Sequence, residues 1–169
     1  RFEKPMSPSA LELRAYYTSF LRPGRILLTG HSHQAWPDCA QEGLVQSFRD
    51  AADHVDDKWD RAAEQANVLR DAVADYLGAV RDEIALGQSA HELMTRFVSA
   101  LDWTTRRHIV TTDGEFHSMR RQLDRLVEAG VEVTRVPVAP LDSLAERLAQ
   151  AVRPDTAALM VSTVLFQTA

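Results

Sequence analysis

The chain has 169 residues, 45% of them hydrophobic and 25% charged, enough to bury one core or part of a larger one. Its net charge of −5, with acidic and basic residues interleaved, excludes a basic face for nucleic acid or an anionic membrane, and no apolar run approaches the ~20 residues of a membrane-spanning helix. The lone Cys39 excludes an internal disulfide and fits a reducing cytoplasm.

Residues 1–37 read as an arm and loop segment punctuated by Pro5, Pro8 and Pro23-Gly24, with a short helix over Leu11 to Leu21. The apolar run Ile26-Leu27-Leu28 stops at the polar turn Thr29-Gly30-His31-Ser32-His33. Residues 38–80 form a helical segment. Leu44, Phe48, Ala51, Ala52 and Val55 recur at three- and four-residue steps, followed by Trp59, Ala62, Ala63, Ala66, Leu69, Val73 and Leu77, with Gly78 as the stop. From 81 to 169 the rhythm changes to short strands alternating with helices. Strands are expected at Ile84–Leu86, His108–Thr112, Val131–Val136 and Ala157–Val161. Helices are expected at Ala90–Leu101, Phe116–Ala129 and Leu141–Val152. This alternation predicts an α/β fold, three αβα layers around a largely parallel sheet. Arg1 at the start, and a stop at Thr168-Ala169 just after an apolar strand, lead us to expect a longer parent chain.

Ligands of open α/β sheets bind outside the carboxyl ends of the strands. Three segments are predicted to lie there: Gly87 to Glu92, Asp113 to Ser118, and Ser162-Thr163. In the first, small residues lead into a helix whose free N–H groups suit an anion, although Ser89 as a plain N-cap explains the same pattern. There is no G-x-G-x-x-G and no Walker lysine motif. Phe116 could be core, because Met119, Leu123 and Leu126 follow at helical spacing. Trp36, Trp59 and Trp103 read as packing residues. The six histidines raise a metal-hydrolase alternative nucleated by His31 and His33, but no third ligand stands at a zinc-site spacing. Asp53, Asp56, Asp57 and Asp60 around Lys58 read as a solvated helix face with i,i+3 and i,i+4 ion pairs.

Four motifs in order resemble the pyridoxal-phosphate enzymes of fold type I, in the class V aminotransferase group, and the kynureninases most closely. They are Gly30-His31-Ser32, Glu83-Ile84-Ala85-Leu86 with the turn Gly87 to Glu92, Glu115-Phe116-His117-Ser118, and Val161 to Thr168. The resemblance implies that Ala90 and His91 bind the cofactor phosphate through backbone N–H groups, with Ser89 adding its hydroxyl. It implies that Phe116 stacks on the pyridine ring, that Ser118 lies beside the phosphate or a ring substituent, and that Ser162 and Thr163 line the other side. His31, Ser32 and His54 would face an amino-acid substrate. His91, His31 and Thr163 depart from the family's Thr, Asn and Gly, which puts kynurenine itself in doubt as substrate.

The resemblance further implies a cytoplasmic homodimer that cleaves a Cβ–Cγ bond hydrolytically. An aminotransferase or cysteine-desulfurase-like reaction is the alternative, because the first half of such a fold fixes cofactor geometry more than reaction type. It also implies that the strand near residue 84 lies apart from the three later strands. The chain has two lysines, Lys4 and Lys58. Lys4 lies in the arm, and Lys58 lies among carboxylates that suit an ammonium ion rather than the free amine a Schiff base requires. The reactive lysine is therefore expected beyond Ala169 and the isolated chain is expected to be inactive. A non-catalytic α/β module binding a phosphorylated ligand or a partner is the reading from another class.

Overall fold

The computed structural model describes residues 9–30 and 34–168. Two compact units divide the chain, Arg1–Ile84 and Ala85–Ala169, and each is taken by itself.

In the first unit Ser9 caps the short helix α1, Ala10–Arg14. Its hydroxyl accepts from the Glu12 N–H at 3.3 Å while the Glu12 carboxylate accepts from the Ser9 N–H at 2.6 Å. The helix expected to reach Leu21 ends at Arg14 and passes into turns, where the Arg14 guanidinium donates to the Leu21 carbonyl at 3.1 Å. Asp38, the first residue of α2 (Asp38–Asp53), holds that turn segment in place. Its carboxylate accepts from the Thr18 N–H at 2.8 Å, the Thr18 hydroxyl at 2.6 Å and the Ser19 N–H at 2.9 Å. These donors, the Thr18 hydroxyl first, hold the Asp38 carboxyl well below the usual carboxylate range.

The helical stretch divides in two. α2 stops where His54 leaves helical geometry (φ −126°, ψ 48°), and α3 runs Lys58–Leu77. Carboxylates are unfavourable at a helix carboxyl end and favourable at an amino end, and Asp53, Asp56 and Asp57 straddle the break. Gly78 closes α3 at φ 69°, a conformation that suits glycine.

This unit has little core. Ala74 is its one buried residue among those described, whereas Leu44, Phe48, Trp59, Leu69 and Tyr76 are exposed. Trp36 and Trp59 are thus surface residues, not packing residues; the ring that Trp36 meets among the described residues is Phe20, at 6.4 Å between centroids. The acidic residues around Lys58 make no ion pair with it among the described residues. Its ammonium lies over the Trp59 ring, 5.6 Å from the centroid.

Where the two units join in sequence, the expected strand at 84–86 is absent. A turn of 3-10 helix, Arg81–Glu83, leads into extended backbone that has no ladder partner. An extended segment becomes a strand only when a neighbour takes up its N–H and C=O groups. Helix α4, Ala90–Ser99, follows; β1 is His108–Thr112, α5 His117–Glu128, β2 Glu132–Val136, α6 Leu144–Ala151 and β3 Thr156–Met160. The strands pair in parallel in the order β2-β1-β3.

The central strand β1 is buried throughout and its two faces meet different layers. Ile109 joins Met94 and Val98 of α4, Leu123 of α5, Val131 and Met160 on one side, with Trp103 packed against them. Val110 joins Val136 and Leu148 on the other, with Leu144 and Ala151 of α6. Helices on both faces of a parallel sheet make the three-layer α/β arrangement.

Two polar devices complete it. The buried His108 ring bridges Thr156 on one neighbouring strand, at 2.7 Å, and Thr134 on the other, at 2.8 Å. Arg147 of α6 donates to the carbonyls of Pro137, Val138 and Pro140 in the β2–α6 connection, the last two at 3.2 and 2.7 Å.

Candidate active site at the carboxyl ends of the strands

The loops after β1 and β3 meet beyond the carboxyl ends of those strands, as parallel sheet geometry dictates. Asp113 prolongs the β1–β2 pairing by one step: its N–H donates to the Val136 carbonyl at 3.1 Å and its carboxylate accepts from the Val138 N–H at 2.9 Å. Gly114 follows with no room for a side chain, since a Cβ there would lie 2.6 Å from the stiff Val138 Cγ2. The chain then turns sharply, placing Glu115 inside and Phe116 outside.

Glu115 is fully buried, at 1% exposure. Its Oε1 accepts from the Thr112 hydroxyl at 2.7 Å and from the Ser162 N–H at 3.0 Å, and its Oε2 from the Ser162 hydroxyl at 2.6 Å. Phe116 is 45% exposed, so it is not core; Leu123, with the partly buried Met119 and Leu126, fills that role. The Phe166 ring meets Phe116 edge-on, 5.2 Å between centroids at 88°, and the His117 ring lies 3.9 Å away at 42°. Ser162 is half-buried and Thr163 exposed. The structure thus brings Phe116 and Ser162 to one place, with Glu115 and Phe166 between and beside them. A cleft of about 150 Å³ adjoins them, lined by Asp113, Gly114, Val138, Leu165, Gln167 and Thr168. That is smaller than the roughly 300 Å³ at which ligand pockets begin, so these residues make a wall and not a complete pocket.

The predicted anion turn leads into α4. Ser89 caps α4, its hydroxyl accepting from the Glu92 N–H at 3.2 Å. The Glu92 carboxylate takes the Gln88 N–H at 2.7 Å and pairs with Arg96 at 2.6 Å. Ala90 and His91 are exposed, and their N–H groups have no acceptor among the described residues. No hydrogen bond or ring contact joins this turn to the Phe116 cluster among those residues. Ser118, in the first turn of α5, is half-buried. His54 caps α2 in the first unit, its N–H donating to Asp50 at 3.0 Å. The remaining two substrate-side predictions, His31 and Ser32, lie outside the described residues, as does His33.

The sequence pattern alone gives Glu115 no role. The available signal was a carboxylate between a buried strand and a helix, three residues after Thr112. A larger cleft, about 650 Å³, lies in the first unit beside Gly43, Ser47, Asp50, Lys58 and Trp59. It contains none of the predicted residues, and no buried polar group lines it. No group of three potential metal ligands occurs among the described residues, and no helix among them is long and apolar enough to cross a membrane.

The second unit has the architecture of a partial three-layer α/β fold. No protein-family model matches the chain. Over 95 residues, 52% of its length, the chain is 26% identical to the uncharacterized aminotransferase YcbU of Bacillus subtilis (strain 168). The match spans 26% of that protein, about a quarter of its length.

Proposed function

We propose that this chain supplies one wall of the cofactor site in a pyridoxal-phosphate enzyme of the aminotransferase type. The observation that carries the reading is the exposed Phe116 ring at the carboxyl end of β1, next in the chain to the Glu115 that holds Ser162 beyond β3. The partial similarity to an aminotransferase supports the same class.

The residues present fit such a cofactor at its ring and, in part, at its phosphate. Phe116 offers an apolar face to a planar heteroaromatic ring, and Ser162 offers a hydroxyl oxygen beside it. The unpartnered amides of Ala90 and His91 suit phosphate oxygens at the amino end of α4, while Glu92 on the Gln88 amide is an anion that a phosphate would displace. When bound, pyridoxal phosphate supplies an electron-withdrawing ring that stabilises negative charge developing on the substrate. The chain's own contribution is to hold that ring flat and to keep water from one of its faces.

Within this class the finer reading is a kynureninase-like hydrolysis of a Cβ–Cγ bond, on the motif order from Gly30 to Thr168. Transamination and desulfuration are the competing reactions. The reading places the Schiff-base lysine at neither Lys4 nor Lys58, and it includes a homodimer, which the exposed Leu44, Phe48 and Trp59 support.

Borohydride reduction of the protein purified from its native source tests the class. The expected result is a visible absorption band bleached by the reagent, with the reduced cofactor mapped by peptide mass to a lysine other than Lys4 and Lys58. Purified protein without such a band, before or after added pyridoxal phosphate, overturns the reading.

A further inference from the structure

A buried carboxyl group needs a cation or a full set of hydrogen bonds, because desolvation costs it several kcal/mol otherwise. Glu115 takes part in no ion pair among the described residues. Its three donors come instead from two chain segments, the end of β1 and the stretch just after β3. Thr112 is the last residue of β1, and Ser162 lies two residues after β3. The register between these strands ends at Thr111 and Met160. Where the ladder stops, the Glu115 side chain takes over and joins the strand ends.

The direction of one bond matters for binding. The Ser162 hydroxyl donates its proton to Glu115 Oε2. Its oxygen therefore has only lone pairs left for anything that approaches from outside, so it selects a hydrogen-bond donor and disfavours an anion.

We propose that Glu115 is a positioning residue that latches the Ser162 segment to the Phe116 turn and fixes Ser162 as an acceptor toward the ligand. The ligand half of this inference rests on the cofactor reading above, and the latch does not. By holding both segments, Glu115 also sets how Phe166 meets Phe116, and hence which part of the Phe116 ring stays open. Ser162 is then the contact for a donor group on the cofactor ring, and the phosphate belongs elsewhere.

Hydrogen exchange and ligand titration on the full-length protein separate the two halves. Glu115→Ala removes the acceptor. The Ser162 amide and its neighbours to Thr168 should then exchange ~10-fold faster or more, while the β1 amides keep their protection. Glu115→Gln keeps an acceptor for the Ser162 N–H but turns an amide N–H toward the hydroxyl. It should retain most of the protection yet weaken pyridoxal 5′-phosphate binding by about 10-fold. Ser162→Ala breaks the latch from the other side and decides the matter if Glu115→Ala does not fold. Equal loss of protection in β1 and in the 162–168 segment would make Glu115 a core residue and overturn the latch. Unchanged affinity in Glu115→Gln would overturn the polarity argument. A wild-type protein that ignores pyridoxal 5′-phosphate would overturn the cofactor reading and the ligand half with it, leaving the exchange result to stand on its own.

Discussion

The two units spend similar lengths of chain on very different structures. Residues up to Ile84 form regular helices but bury almost nothing, whereas the residues from Ala85 onward pack two apolar clusters against a sheet. Helical periodicity is present in both. The difference is that α4, α5 and α6 face a sheet that absorbs their apolar stripes, while α2 and α3 leave Leu44, Phe48, Trp59 and Leu69 exposed. Periodicity thus forecasts an element, and only a partner surface turns it into stability.

Substitutions put this contrast at risk. The largest effect is expected in the sheet: Leu123→Ala, at a fully buried site, should cost about 2–5 kcal/mol in denaturant unfolding. Gly114→Ala comes next, at about 1–3 kcal/mol, because the new methyl group meets Val138 Cγ2 in a tight turn. Phe48→Ala in α2, at a position 77% exposed, should change stability by less than about 0.5 kcal/mol. A cost equal to that of Leu123→Ala would mean that the α2 face is covered in solution, and the contrast between the units would dissolve. Thr111→Val should be neutral or stabilising by up to ~1 kcal/mol, since the buried Thr111 hydroxyl has no hydrogen-bond partner among the described residues.

The last effect is local and depends on pH. The Asp38 carboxyl titrates below its unfolded value, so the order it imposes on Thr18 and Ser19 is present above the unfolded carboxylate range, ~3.9, and is lost as pH falls through the lower folded value. Amide chemical shifts of Thr18 and Ser19 followed from pH 6 downward should stay constant to about pH 4 and move only below it. Asp38→Asn should abolish that transition. A transition near the ordinary carboxylate range in the wild type would show that the three hydrogen bonds are not kept in solution.

Much of the second unit could be read from its residues. The stretch Ile109–Thr112 is apolar or hydroxyl-bearing at every position, as suits a central parallel strand, and the helices that follow β1 and β2 carry one apolar stripe each. The segment at Ile84–Leu86 is also apolar, but a strand is a property of two segments and no neighbour among the described residues pairs with it. Tryptophans mislead in a related way. Trp103 packs beside the Val98 cluster and donates to the Val98 carbonyl at 3.1 Å, whereas Trp59 has the same chemistry and no surface to meet.

At the site, the position of Phe116 follows from the strand–turn–helix pattern around it. The role of Glu115 does not, because its partners Thr112 and Ser162 are 3 and 47 positions away and only the fold makes them neighbours. At the start of α4, a glutamate three residues after an N-cap serine is an ordinary capping pattern, and nothing local reveals that its carboxylate takes the Gln88 N–H.

The grip of Arg147 on the β2–α6 connection has a consequence for the order in which the unit assembles. Pro137 and Pro140 have no N–H, so the connection has few ways to satisfy itself, and three of its carbonyls are met by a guanidinium one helix away. The connection therefore acquires its shape no earlier than α6 condenses on the sheet. In folding, β1, α5 and β2 can settle as a neighbouring trio, while the passage leading out of β2 belongs to the late events, completed together with the docking of the helix it introduces.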